Sequence, residues 1–194
     1  MRRPLAFLFP ALIAIPLITP QPAHAGFIAW SYSWARSPLV IPAGTGGIAL
    51  TNQPLKHAQG PAEIVATTLT VFSSPTAGQL DRLSKGNYQL TMLLRDDASG
   101  KAASLTFSGF LSGTFWATGA SLANTFTGAR SQAVHLGQYW YTVTMGPYIA
   151  PKGTLPGKLE AQVTVRHNPE PSGLVLGGLA LFCLGLFGCR RWVR

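Results

Sequence analysis

The residues able to do acid–base, nucleophilic or metal chemistry are few in this chain and lie far apart. Between residues 26 and 168 they comprise the histidines His57, His135 and His167 and the carboxylates Glu63, Asp81, Asp96, Asp97 and Glu160. A zinc site needs three or four ligands, commonly in closely spaced pairs, and none of these histidines has a second histidine or a cysteine at such a spacing. The sequence therefore predicts no metal site and no cofactor.

Asp96 and Asp97 form the only adjacent pair of carboxylates. Neighbouring residues of a strand point to opposite faces, whereas a glycosidase needs two carboxyl groups facing each other about 5–9 Å apart. The pair precedes Ala98-Ser99-Gly100, which favours a role in a turn over a calcium site. A serine triad assembled from distant residues remains open, although no Gly-x-Ser-x-Gly motif supports it. We predict no catalytic residues and expect that the protein is not an enzyme.

Cysteine usage and charge exclude further classes of function. Both cysteines, Cys183 and Cys189, lie near the carboxyl terminus, so residues 26–168 have no disulfide, thiolate nucleophile or cysteine-bound metal. The formal charge of +9 includes arginines at both ends of the chain, and residues 26–168 carry ten basic and five acidic residues without any basic run. Nucleic-acid binding is therefore not expected, whereas a mild attraction to acidic polysaccharide is consistent with this charge.

Tryptophan rings are the remaining candidates for ligand contact. Residues 28–34 alternate, with Ile28, Trp30, Tyr32 and Trp34 on one face of a predicted strand. Such an aromatic row more often belongs to the hydrophobic core, and the alternative is that it stacks against sugars. We take Trp30, Trp116 and Trp140 as the candidate ligand-binding residues, and their exposure decides between these two interpretations.

Period-two alternation and closely spaced turn residues predict an all-β fold. The clearest hairpin joins residues 87–96 to residues 103–111, and residues 158–166 form a strand with one apolar face. We predict a loop over residues 52–61 and one helical turn over residues 79–83, and residues 112–123 fit no element clearly. About eight strands without helical periodicity indicate an antiparallel β-sandwich, jelly-roll-like in its connections.

The amino terminus has the composition of a secretory signal peptide. Two arginines follow Met1, residues 5–18 are apolar, and Ala23-His24-Ala25 is a small-x-small cleavage site before Gly26. The arginine pair also fits a twin-arginine signal. However, no polar residue precedes the pair and no cofactor requires folding before export, so ordinary secretion is the preferred interpretation.

The carboxyl terminus combines a rigid segment, an apolar run and an arginine cluster. Residues 174–189 carry no charge and would span about 24 Å as a helix, close to the roughly 30 Å hydrocarbon core once flanking residues are added. We predict a single transmembrane helix over about residues 173–189. The positive charges of Arg190, Arg191 and Arg194 would keep the carboxyl terminus in the cytoplasm and the preceding chain outside.

This order of segments resembles the PEP-CTERM sorting signal of Gram-negative bacteria. The residues that carry the resemblance are Pro169, Glu170, Pro171 and Ser172, followed by the short apolar helix and the arginines. It implies recognition by an exosortase-like enzyme, removal of the tail and delivery to the cell envelope or extracellular matrix, commonly alongside exopolysaccharide production. A GPI signal would end in its apolar tail, and a sortase signal would need Leu-Pro-x-Thr-Gly, so both fit less well.

The sequence thus predicts three segments: a signal peptide (1–25), an exported β-sandwich domain (26–167) and a sorting and anchor tail (168–194). The expected function is structural or interaction-based, at the cell surface or in the matrix, and linked to exopolysaccharide. A single-pass inner-membrane intermediate would precede delivery. The alternatives are a carbohydrate-binding module that uses exposed aromatic rings and, third, a hydrolase acting on matrix sugar. The expected partners are the processing enzyme, the membrane and extracellular polysaccharide.

Overall fold

The computed structural model describes residues 28–72, 80–116, 119–152 and 155–168. The predicted signal peptide and its cleavage residues Ala23, Ala25 and Gly26 lie outside this part of the chain. So do the sorting motif (residues 169–172), the transmembrane helix and the arginines at 190, 191 and 194. Within the described ranges, no helix is long and apolar enough to cross a membrane.

The described chain is all-β, as the alternation predicts, and its strands pair only in the antiparallel sense. The strands are β1 (Ala29–Ser37), β2 (Val40–Ala43), β3 (Gly46–Leu50), β4 (Gln53–Gln59), β5 (Ala62–Phe72), β6 (Asp81–Asp96), β7 (Ala102–Trp116), β8 (Gly119–Phe126), β9 (Ser131–Leu136), β10 (Tyr139–Ile149) and β11 (Gly157–His167).

Two sheets face each other across the core. Sheet A has the order β4-β1-β6-β7-β8, and sheet B has the order β2-β3-β5-β11-β10-β9. Three consecutive strands pair as a meander in each sheet, β6-β7-β8 in sheet A and β9-β10-β11 in sheet B. The connectivity is therefore more local than the two Greek keys of the predicted jelly-roll-like arrangement.

The core consists of the inward-facing residues of both sheets, and the alternation along β1 is confirmed. Trp30, Tyr32 and Trp34 are all at most 5% exposed. The neighbouring rings of Trp34 and Phe107 lie 5.9 Å apart, which joins β1 to β7. Apolar burial of this kind stabilises a domain that has no disulfide among its described residues.

The predicted hairpin over residues 87–96 and 103–111 is confirmed, because β6 and β7 pair from Asn87 with Phe110 to Arg95 with Ala102. The strand at residues 158–166 is confirmed as well. Leu159, Ala161 and Val163 face the core along β11.

Three local predictions were wrong or incomplete, each for an identifiable physical reason. Residues 53–59 form β4 instead of a loop; β4 is an edge strand with Pro54 and exposed residues on both faces, so it shows no alternation. Residues 81–83 begin β6 instead of a helical turn, because they pair with residues 113–115 of β7. Within the stretch left unassigned, residues 112–116 belong to β7 and residues 119–123 to β8, and their small residues hide the period-two pattern.

Candidate binding surfaces

The three candidate tryptophans lie in three different environments. Trp30 is completely buried and its indole N–H donates to the Gly60 carbonyl at 2.8 Å, so its ring belongs to the core and presents no surface to a ligand. Trp116, at the end of β7 in sheet A, is 37% exposed. Trp140, in β10 of sheet B, is 43% exposed. The structure therefore does not bring the three rings together into one platform.

Trp140 lies on the outer face of sheet B in a row of three residues from three strands. It pairs with His135 of β9 on one side and with Arg166 of β11 on the other. The indole and imidazole centroids are 5.2 Å apart with a tilt of 36°. The side-chain nitrogen of Asn168 lies 3.5 Å from Nε2 of His135. The exposed Trp140 thus has a histidine ring against it on the β9 side and an arginine as its paired residue on the β11 side.

Hydroxyl and amide groups continue this face along the strands. In the row after Trp140, Thr142 pairs with Ala133 and Thr164, and in the following row Thr144 pairs with Ser131 and Gln162. The hydroxyls of Ser131 and Thr144 are within hydrogen-bonding distance, at 2.9 Å. The outer face of this half of sheet B is therefore polar, with Trp140 as its large exposed ring.

A groove runs along β1 on the outer face of sheet A, with a volume of about 580 Å³. Its floor lies below the neighbouring strands because β1 presents the small side chain of Ser31 there. Leu55 of β4 and Leu93 of β6 form its walls and are 63% and 48% exposed. The lining residues are Ser31, Leu55, His57, Leu93, Arg95, Asp97, Gly100 and Ala102.

A serine, a histidine and an aspartate meet at the polar end of this groove, but in an order that does not activate the serine. The hydroxyl of Ser31 donates to Oδ1 of Asp97 at 2.7 Å, and Nδ1 of His57 lies 3.4 Å from Oδ2 of the same carboxylate. In a nucleophilic triad the histidine stands between the hydroxyl and the carboxylate. Here the carboxylate stands in the middle, so the arrangement orients polar side chains without placing a base on Ser31.

Asp96, the neighbour of Asp97, joins the two sheets. Its side chain is completely buried, accepts a 2.8 Å hydrogen bond from the Tyr141 hydroxyl of sheet B, and accepts a 2.9 Å bond from the backbone N–H of Ser99 in its own turn. The predicted turn role of the aspartate pair is confirmed for Asp96. The sequence did not show its contact with β10, because Tyr141 is 45 residues away.

Burial and hydrogen bonding shift the pKa of several groups around this contact. Burial, the largest influence on Asp96, would raise its pKa, but hydrogen bonds from Ser99, Tyr141 and Ala98 together hold the pKa below its usual value. Burial, followed by the hydrogen bond to Asp96 and its negative charge, raises the pKa of Tyr141 far above its usual value. The Tyr141–Asp96 hydrogen bond thus joins a neutral phenol to an ionised carboxylate.

The ends of the described chain lie close to this contact. Trp30, near the start of β1, pairs with Asp96. Gly137, in the β9–β10 turn, approaches Asp96 so closely that an added Cβ would lie 2.8 Å from its Oδ2. The backbone N–H of Asn168 donates to the carbonyl of Gln138 in the same turn at 2.8 Å. Residues 28 and 168 therefore leave the domain at the same end.

Comparison with family models, with curated proteins and with solved structures finds no match to this chain. In the described part of the chain, no group of three histidine, cysteine or acidic residues is arranged to hold a metal ion.

The Trp140 row is the surface that reasoning from the sequence missed. One signal was present: residues 132–136 and 139–146 each have the composition of a strand, and only Gly137 and Gln138 separate them. A two-residue loop that begins with glycine is typical of a tight hairpin, and Gly137 indeed has a φ of 62°. That hairpin register places His135 opposite Trp140, whereas Arg166 requires the pairing of β11, which the sequence does not show.

Proposed function

We propose that this chain is an exported protein of the cell surface or extracellular matrix, sorted through its PEP-CTERM-like tail, with a structural or interaction role linked to exopolysaccharide. In this proposal residues 1–25 direct export, and the helix at about residues 173–189 holds the chain in the inner membrane with its carboxyl terminus in the cytoplasm. An exosortase-like enzyme recognises Pro169-Glu170-Pro171 and releases the domain.

The observation that carries this proposal is the tail itself, whose rigid segment, apolar run and arginine cluster occur in the order of a sorting signal. The common end of residues 28 and 168 supports it. In this proposal both ends of the domain lead towards the same membrane during export. The pairing of Trp30 with Asp96 and the hydrogen bond from Asn168 to Gln138 bring residues 30 and 168 to one end of the domain.

The test is the intact mass of the protein recovered from the surface or matrix of its native cells. The expected mass lacks residues 1–25 and the segment that follows Pro-Glu-Pro. Replacing Pro169, Glu170 and Pro171 by alanine should leave the tail uncut and retain the protein in the inner membrane. The matched control is alanine at the exposed prolines Pro147 and Pro156, which should leave export unchanged. Normal release of the triple variant, or a native mass that still contains residues 174–194, would refute the proposal.

A carbohydrate-binding module is the second candidate, and the exposure of Trp140 on a polar sheet face favours it. Trp30 is buried and therefore cannot contact a ligand, and Trp116 lies at the end of β7, paired with Gly119 of β8. A hydrolase has less support, since Asp97 is the only carboxylate among the residues lining the groove and already accepts a hydrogen bond from Ser31. A glycosidase would need a second carboxylate across the cleft.

A further inference from the structure

We propose that the outer face of sheet B binds a carboxylated sugar unit, such as a uronate, between Trp140 and Arg166, as part of an acidic polysaccharide. This inference rests on the proposed role outside the cell, where such polymers occur, and it names a ligand class and a site for that role. It depends on three features: an open indole, a guanidinium without an acidic partner, and a polar face that continues along the strands.

Trp140 supplies the apolar surface. Its ring lies against His135 on the β9 side, and its 43% exposure shows that much of the indole is uncovered. Among the described residues, the cation–ring contacts are Lys85 over Phe110 and Arg130 over Phe126, so Arg166 does not stack on Trp140. Paired residues of neighbouring strands stand about 5 Å apart, which leaves the indole free to receive a sugar ring beside the guanidinium.

Arg166 supplies the specificity for a carboxylate. The ion pairs in the described chain are His57–Asp97 and Lys158–Glu160, so Arg166 has no carboxylate within 4 Å there. A guanidinium binds a carboxylate through two parallel N–H···O bonds, which fixes both position and orientation. A free arginine beside an exposed indole therefore matches a sugar that carries an acid group on its ring.

The carboxylates of the same face lie at a distance that does not oppose an anion. Glu63 pairs with Gln162, two rows from Arg166 and thus about 14 Å away. Glu160 is three rows away and is neutralised by Lys158 at 2.6 Å. The row nearest to the site carries the neutral hydroxyls of Thr142 and Thr164, suited to the hydroxyls of the next sugar unit.

The experiment measures binding of the full-length protein, purified in detergent, to polygalacturonate at about 0.15 M salt, where contributions from distant charges are screened. Fully methyl-esterified polygalacturonate, which has the same rings without the charge, is the comparison ligand. The variants are Trp140→Ala, Arg166→Gln and Arg166→Lys. The matched controls are Trp116→Ala for the loss of an exposed indole and Arg82→Gln for the loss of an exposed arginine.

We expect Trp140→Ala and Arg166→Gln each to weaken binding of polygalacturonate at least tenfold, with Arg166→Lys recovering only part of the loss. The ester should bind less tightly than the acid, and Arg166→Gln should leave its affinity unchanged. An equal loss with Arg82→Gln would indicate attraction by overall charge and would overturn the site. No binding of polygalacturonate by the native protein would overturn it too.

Failure of this site and failure of the sorting proposal are distinguishable. Export and tail removal are read from the intact mass, which Trp140→Ala and Arg166→Gln should not change. If the native protein is processed but both variants bind polygalacturonate as tightly as it does, the sorting proposal stands and the site is refuted. If the protein keeps its tail but both variants lose binding selectively, the site stands and the sorting proposal is refuted.

Discussion

Replacing Asp96 should destabilise the domain far more than replacing Asp97, its neighbour with the same charge. Asp96→Ala removes the ionised carboxylate that accepts from the Ser99 N–H and the Tyr141 hydroxyl, and it leaves the hydroxyl of fully buried Tyr141 without its acceptor. Bonds to charged groups contribute about 1.5–3 kcal/mol each, so we expect a loss of about 3–5 kcal/mol in the free energy of unfolding. Domains of this size are stable by about 5–15 kcal/mol, so the variant keeps its fold at reduced stability.

Asp96→Asn should cost less, about 1–3 kcal/mol. The amide oxygen can still accept from the N–H of Ser99, and the amide nitrogen can donate to the Tyr141 oxygen, but neither bond has a charged partner. Asp97→Asn is the matched control. The Asp97 side chain is 30% exposed and its amide oxygen can still accept from Ser31, so we expect a change below about 1 kcal/mol.

Urea unfolding followed by tryptophan fluorescence measures these differences, because Trp30 lies 6.5 Å from the Tyr141 ring. At a slope of about 1–3 kcal/mol/M, the midpoint for Asp96→Ala should fall by more than 1 M. Combining Asp96→Ala with Tyr141→Phe should cost less than the sum of the two single changes, because both remove the same bond. Equal midpoints for Asp96→Ala and Asp97→Asn, or strictly additive losses in the double variant, would refute the assignment.

The remaining predictions concern pH and two close packing sites. The pKa of folded Asp96 lies below the unfolded value of about 3.9, so its stabilising contribution is present above about pH 4 and is lost as the pH falls through the folded pKa. The urea midpoint of Asp96→Asn should therefore change less between neutral and acidic pH than that of the native protein. Burial raises the pKa of Tyr88 and Tyr141 far above the usual value and that of Tyr148 to about 12. These phenols therefore favour folding below about pH 10, and this contribution declines as the pH rises towards their folded pKa values. Absorbance at 295 nm should show them ionising near pH 10 only when the protein is unfolded in urea. Gly137→Ala should lower the free energy of unfolding by at least about 1–2 kcal/mol, because φ is 62° and the added Cβ would meet Asp96 and Ser99. Gly128→Ala should lower it far less, because the space around Gly128 is open. Similar thermal midpoints for the two variants would contradict this packing. Tyr148→Phe should leave the urea midpoint unchanged or raise it, because the buried Tyr148 hydroxyl has no partner among the described residues, and a loss as large as that of Tyr141→Phe would argue against this environment.

Local patterns predicted the strands well where one face of a strand is buried and the other is not. Residues 28–34, 87–96 and 158–166 alternate because each lies in a sheet that faces the core on one side only. The edge strand β4 was missed for the converse reason, since neither of its faces is deeply buried and its sequence carries no period. The end of β7 and the start of β8 were missed because glycine, serine and alanine carry little hydrophobic signal on either face.

The candidate site was only partly predictable. Trp140 was named from the sequence as an aromatic candidate, but so was Trp30, which proved to be a core residue. The sequence shows that both rings lie on strands, and it does not show which face of each strand meets the opposite sheet. Arg166 belongs to the site because it pairs with Trp140, and the sequence does not show a pairing between residues 26 positions apart.

By itself the sequence determined the all-β class, the strong hairpin, the absence of cysteine chemistry between residues 26 and 168, and the compositional signals at both ends. These properties are local or additive, so each can be recognised without knowing what packs against what. Only the tertiary structure decided that Asp96 holds Tyr141, that Ser31 and His57 share one carboxylate, and that His135, Trp140 and Arg166 form one row. The physical reason is that a one-residue change of register turns every side chain of a strand to the other face, and the packing of both sheets together selects the register.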